Sequence, residues 1–243
     1  GNEDHNLDCD PEFANISPFN IILGKALPAG TMETVYPNTM ELKNMKVVDM
    51  EVPKNSKEAG SSKLAHKWRA AERTEMEQLY DKGCLVAVRR EDIPAGQKVI
   101  PGMMVYAAKG DADGMLRKFK ARFVAKGFYQ REGIDFIATY APVATYTSIK
   151  MIISTAAHLG LNAFQFDVEG AFLLPDIDVP LYISDEHGNC YLCYKTLYGL
   201  KQSANAWNRE LHNELTALGM TQSVIDPCVY TRLTKDGWMI LAC

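Results

Sequence analysis

No stretch of this 243-residue chain approaches the roughly eighteen consecutive apolar positions that a membrane-crossing helix needs. No charged-then-apolar leader pattern is present either, so no membrane partner is expected. Cysteine is not arranged for metal or disulfide chemistry. Cys190-Tyr-Leu-Cys193 is a single Cys-x-x-Cys without a second pair or a histidine cluster beside it, which argues against structural zinc. Its flanks Tyr191, Leu192 and Tyr194 read as a strand, and the thiols are expected to be reduced, in an intracellular protein. His66, His158, His187 and His212 sit in unlike contexts and none is a candidate catalyst. Internal repeats and low-complexity tracts are also missing.

An excess of positive charge is lacking too. The formal net charge is −4, which would count against a polyanion-binding protein if it were evenly spread. It is not. Residues 1–15 hold five acids (Glu3, Asp4, Asp8, Asp10, Glu12) and no Lys or Arg, leaving the remainder with 26 basic residues against 25 acids. Within that remainder Arg117–Arg131 holds six basic residues and no acid. Strict alternation there puts Phe119, Ala121, Phe123 and Ala125 on one strand face and Lys118, Lys120, Arg122 and Lys126 on the other. A row of cations two residues apart suits phosphates, on a triphosphate or along a template. The competing reading is an edge strand whose lysines guard against sheet-to-sheet pairing. Lys120 and Arg122 are the triphosphate candidates, with Lys109 behind them, and Lys118 and Lys126 suit a template.

The run Phe164-Gln-Phe-Asp-Val-Glu-Gly-Ala-Phe-Leu173 carries the sharpest signal. Apolar alternation predicts a strand that delivers one carboxylate, Asp167. Gly170 and Ala171 let another molecule approach the backbone closely, and Phe172 adds a flat wall. That layout suits a divalent cation and a nucleotide. An isolated Asp after a strand is more often a turn or cap residue, so the reading depends on its company.

Periodicity predicts the surrounding elements. Leu64, Trp68, Ala71 and Leu79 share a helical arc that Gly83 ends, and strands follow at 84–88 and 99–108. Asp111-Ala-Asp-Gly114 is a turn that pairs 103–109 with 115–125. Ile149, Ile152, Ile153 and Ala156 mark a helix closed by Gly160. Strands are expected at Leu181–Ile183 and around the cysteine pair. Ser203 is read as the N-cap of a helix striped by Trp207, Leu211, Leu215 and Leu218. Residues 227–232 and 237–242 form a further hairpin. The expected class is α+β, an antiparallel sheet backed by helices.

The runs Arg117-Lys-Phe-Lys-Ala-Arg-Phe-Val-Ala-Lys-Gly127, Phe166-Asp-Val-Glu-Gly-Ala-Phe-Leu173 and Leu197-Tyr-Gly-Leu-Lys-Gln-Ser203, in that order, resemble the reverse transcriptase of copia-type LTR retrotransposons. Trp68-Arg-Ala-Ala-Glu72, Gly133-Ile-Asp-Phe136, Ala141-Pro-Val143 and Asp226-Pro-Cys-Val-Tyr230 extend the likeness over about residues 51–243. The resemblance implies a poorly ordered linker over 1–50, fingers over 51–150 and part of a palm over 151–243. It implies Asp167 as the first catalytic aspartate and, with the Val168 carbonyl, a ligand of magnesium or manganese. Phe172 matches the gate against a ribose 2′-hydroxyl, and Ala171, Tyr198 and Gly199 the surface against the incoming nucleotide. Implied partners are an RNA or DNA template–primer, deoxynucleoside triphosphates and the rest of a Pol polyprotein: integrase upstream, the rest of the palm, the thumb and RNase H downstream. A cytoplasmic particle or the nucleus is the implied location.

Departures bear on activity. The family's Tyr-x-Asp-Asp hairpin, which supplies its other catalytic aspartates, occurs nowhere in this sequence. Leu174-Pro175 replaces a usual Asn-Gly, and Met104 a usual Trp. The leading expectation is a fragment of an RNA-directed DNA polymerase truncated before that hairpin, with metal bound only in the full-length enzyme. A non-catalytic retrotransposon remnant that folds or binds nucleic acid is the alternative.

Overall fold

A computed structural model describes residues 45–235 and 237–243. Most of the expected acidic linker over 1–50, including the five acids of residues 1–15, therefore lies outside the described residues. The elements run α1 (Ser56–Ser61), α2 (Ala65–Asp81), β1 (Leu85–Val88), β2 (Val99–Gly110), β3 (Leu116–Ala125), α3 (Tyr146–Leu159), β4 (Asp176–Ser184), β5 (Cys190–Lys195), α4 (Ser203–Ala217), β6 (Thr221–Gln222), β7 (Val229–Thr234) and β8 (Gly237–Ala242). The class is mixed α and β, as expected.

Five strands form one sheet in the order β1-β5-β4-β2-β3, and β6-β7-β8 form a second. The expected hairpin is present, with Val105 opposite Arg122 and Lys109 opposite Lys118. One correction concerns direction. β2 and β4 pair in parallel, Val99 opposite Tyr182 and Ile100 opposite Ile183, so the sheet is mixed. Strands from both sides of residue 150 thus share one sheet.

The core lies under α2. Trp68 and Leu79 are fully buried there, and Trp68 meets Phe119 and Tyr106 edge-on, with ring centroids 4.7 and 5.4 Å away. Leu79, Phe123, Ile183, Cys193 and Leu197 join a continuous apolar cluster. The alternation read along β3 holds: Phe119, Ala121, Phe123 and Ala125 are all buried.

Two further expectations need correction. Residues 164–168 are not a strand: the segment is irregular, and Phe164, Phe166 and Asp167 are exposed. Alternation supplies a strand-like face, but a strand exists only against a neighbour, and among the described residues none pairs with this segment. Ser203 is not the N-cap either. Gln202 holds that position, and the Ser203 hydroxyl donates instead to the Leu197 carbonyl.

Helix α3 buries none of its residues. Thr145 caps its start, accepting the Ser148 N–H, and Gly160 ends it in the left-handed region with φ 65°. Asp226 holds that start to the turn before β7. Its carboxylate accepts the Thr145 N–H at 2.9 Å and the Cys228 N–H at 3.0 Å. Hydrogen bonds from the Ser148 side chain, then from those two backbone N–H groups, hold the carboxyl down at about 2. Because the folded form prefers the ionised acid, the stabilisation is complete above about pH 4 and is lost as pH falls through about 2. In a circular-dichroism acid titration, wild type is expected to lose helix signal in that window. Asp226→Ala should show part of that loss already at pH 7, with a smaller step on acidification, the remainder coming from Asp111, Asp135 and Asp185, whose carboxyls are also held low. An Ala variant that reproduced the wild-type acid transition would remove Asp226 as its cause.

Candidate active-site surface

β3 is an edge strand, so its outward N–H groups need partners from outside the sheet. Two are supplied. The Phe123 N–H donates to Glu75 of α2 at 3.2 Å, and the Ala125 N–H donates to the Tyr198 carbonyl at 2.8 Å. This second bond ties the turn after β5 to the end of the basic strand.

A line of side chains runs from there. The Arg122 guanidinium lies over the Tyr198 ring, 5.1 Å from its centroid. Tyr198 in turn meets Phe172 edge-on, centroids 6.2 Å apart and planes at 79°. Burial raises the Tyr198 phenol, and Arg122 opposes that shift. The Arg122 Nε is buried and has no hydrogen-bond partner among the described residues. Lys120 stands two residues away on the same face, half-buried, with Ala107 opposite it. Desolvation first, then Arg122 and Lys118, hold its ammonium below the ordinary lysine value. Lys109 and Lys118 are exposed and directly opposed across the hairpin. Like charges so placed favour an anion between them. Lys126 is half-buried in the turn beyond β3.

The turn carrying Tyr198 and Gly199 is locked from behind. Gly199 has φ 86°, and its backbone is so close to Gly127 that a Cβ built on Gly127 would sit 2.1 Å from the Gly199 carbonyl oxygen. Gln130 closes the lock. It accepts the Lys201 N–H at 2.8 Å and donates to the Gln202 side chain at 2.9 Å. Asp135 accepts the Arg131 N–H at 2.7 Å, and Gln130, Asp135 and Gln202 are all buried. Sequence reasoning gave these three no role, although two lie in quoted runs. Glu75 was missed as well. Its signal was a carboxylate on the buried arc of α2, seven residues after Trp68.

Phe172 follows Gly170 (φ 65°) and Ala171 in a short 3-10 turn, and its carbonyl accepts the Thr196 hydroxyl. The Val168 carbonyl accepts the Ala171 N–H at 3.3 Å. Asp167 stands exposed one residue earlier. Lys120, Arg122, Tyr198, Gly199 and Phe172 thus form one patch, and Asp167 lies in the irregular segment leading to it. Among the described residues no group of three or more His, Cys, Asp or Glu side chains could hold a metal ion. One carboxylate does not fit two cations about 4 Å apart.

A sequence profile described as reverse transcriptase (RNA-dependent DNA polymerase) matches residues 87–243, taking in β3, the Asp167 segment, the Tyr198 turn and every strand from β2 to β8. The chain belongs to the reverse transcriptase family. It is 33% identical over 216 residues to the retrovirus-related Pol polyprotein from transposon TNT 1-94 of Nicotiana tabacum, covering 85% of this chain and 16% of that protein. It is 35% identical over 145 residues to the Pol polyprotein from transposon RE1 of Arabidopsis thaliana, covering 56% of this chain and 10% of the relative. These likenesses make it a copia-type reverse transcriptase region. The chain spans under a fifth of either relative's length. No solved structure matches.

Proposed function

We propose that this reverse transcriptase region holds an incoming deoxynucleoside triphosphate and a template–primer, as the fingers and part of the palm of a longer Pol polyprotein. One observation carries the reading. Arg122, Tyr198 and Phe172 form a contiguous cation-to-ring-to-ring line beside Lys120, drawn from three separate parts of the chain. In it Lys120 and Arg122 face the triphosphate, with Lys109 near its outer end. Tyr198 and Gly199 lie against the base, Ala171 leaves room at the backbone, and Phe172 walls off a 2′-hydroxyl. Lys118 and Lys126 contact template phosphates.

Nucleotidyl transfer with magnesium or manganese, in which Asp167 and the Val168 carbonyl serve as ligands, is proposed for the full-length parent alone. There further carboxylates join Asp167, and 164–168 gains a neighbouring strand. The remaining parts of the polyprotein are its partners, and the setting is an intracellular particle or the nucleus.

The test uses fluorescence anisotropy with a labelled template–primer in EDTA at several salt concentrations. Weak, steeply salt-dependent binding is expected, because phosphate contacts release counterions. Lys118→Glu with Lys126→Glu, the two template contacts, should weaken it and flatten the slope of log K against log salt by about 2. Equal affinity and slope in the double variant would reduce the stripe to a solvated strand face. Primer extension on poly(rA)/oligo(dT) by the chain itself is expected to be nil, and template-dependent incorporation would overturn the assignment of chemistry to the parent.

A further inference from the structure

Glu75 is 6% exposed, on the same helix face as Trp68 and Leu79. A carboxylate so enclosed is costly unless something compensates it. Part of the compensation is the Phe123 N–H, but a neutral amide could accept that bond equally well. The rest is charge. Burial raises the Glu75 carboxyl, and the Phe123 N–H, Lys120 and Arg122 pull it back. The converse also holds, since Glu75 offsets the crowding of Lys120 by Arg122, Lys118 and Lys109. The groups facing Glu75 are Lys120 and Arg122 from β3, Tyr198 from the turn after β5, and Cys84 from the connection between α2 and β1.

We infer that Glu75 is a positioning residue for the triphosphate contacts: its buried carboxylate pins β3 at Phe123 and, by its negative charge, holds the neighbouring Lys120 and Arg122 side chains in place. The inference rests on the proposed function. Two roles sit in one side chain, and they separate by substitution. Glu75→Gln keeps an acceptor for the Phe123 N–H and removes the charge. Glu75→Asp keeps the charge and draws the acceptor back.

The experiment is calorimetric titration of the chain with deoxythymidine triphosphate in EDTA from pH 7 to pH 10, with circular dichroism at each pH. Every comparison is with wild type at the same pH, so titration of the nucleotide cancels. Glu75→Gln should bind at pH 7 at least as well as wild type, having lost a negative charge near the anion. Its affinity should then decline at lower pH than that of wild type, becoming weaker at the alkaline end by roughly threefold or more. Glu75→Asp should follow the wild-type pH profile even if its fold is less stable. A residue that merely capped the strand edge would leave the profile of the Gln variant unmoved, and that result overturns the inference. So does an Asp variant that follows the Gln profile. Lys120→Ala with Arg122→Ala distinguishes the underlying reading: unchanged nucleotide affinity there overturns the proposed site and this inference together. Lost affinity with an unmoved Gln profile overturns the inference alone.

Discussion

Gly199→Ala is expected to destabilise the protein by about 2–5 kcal/mol, from left-handed backbone strain and from overpacking that no rotamer can relieve. Gly199 has φ 86°, and a Cβ there would lie 2.2 Å from the Ala125 carbonyl oxygen and 2.6 Å from a Val124 methyl. The first of these neighbours is backbone, so relief requires moving β3 or the turn. The turn cannot retreat freely, because Gln130 and Gly127 hold it from the other side. Gly188→Ala is the matched control, with φ 89° and nothing within 4 Å of its Cβ, so it bears strain without collision. Urea denaturation of both variants measures the difference. Gly199→Ala should exceed Gly188→Ala clearly, and nucleotide affinity should fall with it because Tyr198 moves. Equal costs in the two variants would mean that the close approach to β3 is not a constraint.

Trp68→Ala is expected to cost about 3–5 kcal/mol, the range for emptying a buried aromatic site. Its ring is fully buried and packed edge-on against both Phe119 and Tyr106, so the void opens between α2 and the β2–β3 hairpin. Trp68→Phe should be much milder. The Trp68 Nε1 is buried with no hydrogen-bond partner among the described residues, so its removal relieves an unsatisfied donor while most of the aromatic contact survives. Thermal and urea denaturation check both. A cost below about 1.5 kcal/mol for Trp68→Ala would show that the site collapses and that Trp68 does not fasten the helix to the hairpin.

What the sequence made legible is what local rules govern. The β2–β3 hairpin follows from period-two alternation on both sides of Asp111–Gly114, and α2 and α3 from helical spacing closed by Gly83 and Gly160. What stayed hidden depends on distant partners. The parallel pairing of β2 with β4 has no local signature. Phe164 and Phe166 alternate as a strand would, yet the segment lacks a neighbour and stays irregular. At the candidate site, motif resemblance brought forward Tyr198, Gly199 and Phe172, which do stand together with Arg122. It was silent on Glu75, Gln130 and Gln202, because their contribution is to hold other residues, and that is visible only once the turn and β3 are seen to touch.

The order of strands in the larger sheet also sets a timetable for the chain as it is made. The β2–β3 hairpin and α2 involve near neighbours in sequence and can associate early. β1, by contrast, has a single strand partner in β5, with Leu85 opposite Cys193, and β5 is the last strand of that sheet to be synthesised. Until then Cys84 and Leu85 have no sheet to enter, and the open side of β2 waits for β4. Such non-local closure is slow and leaves apolar strand edges exposed in the meantime. Recovery of soluble protein is therefore expected to respond to conditions during that interval, such as low temperature and slow synthesis.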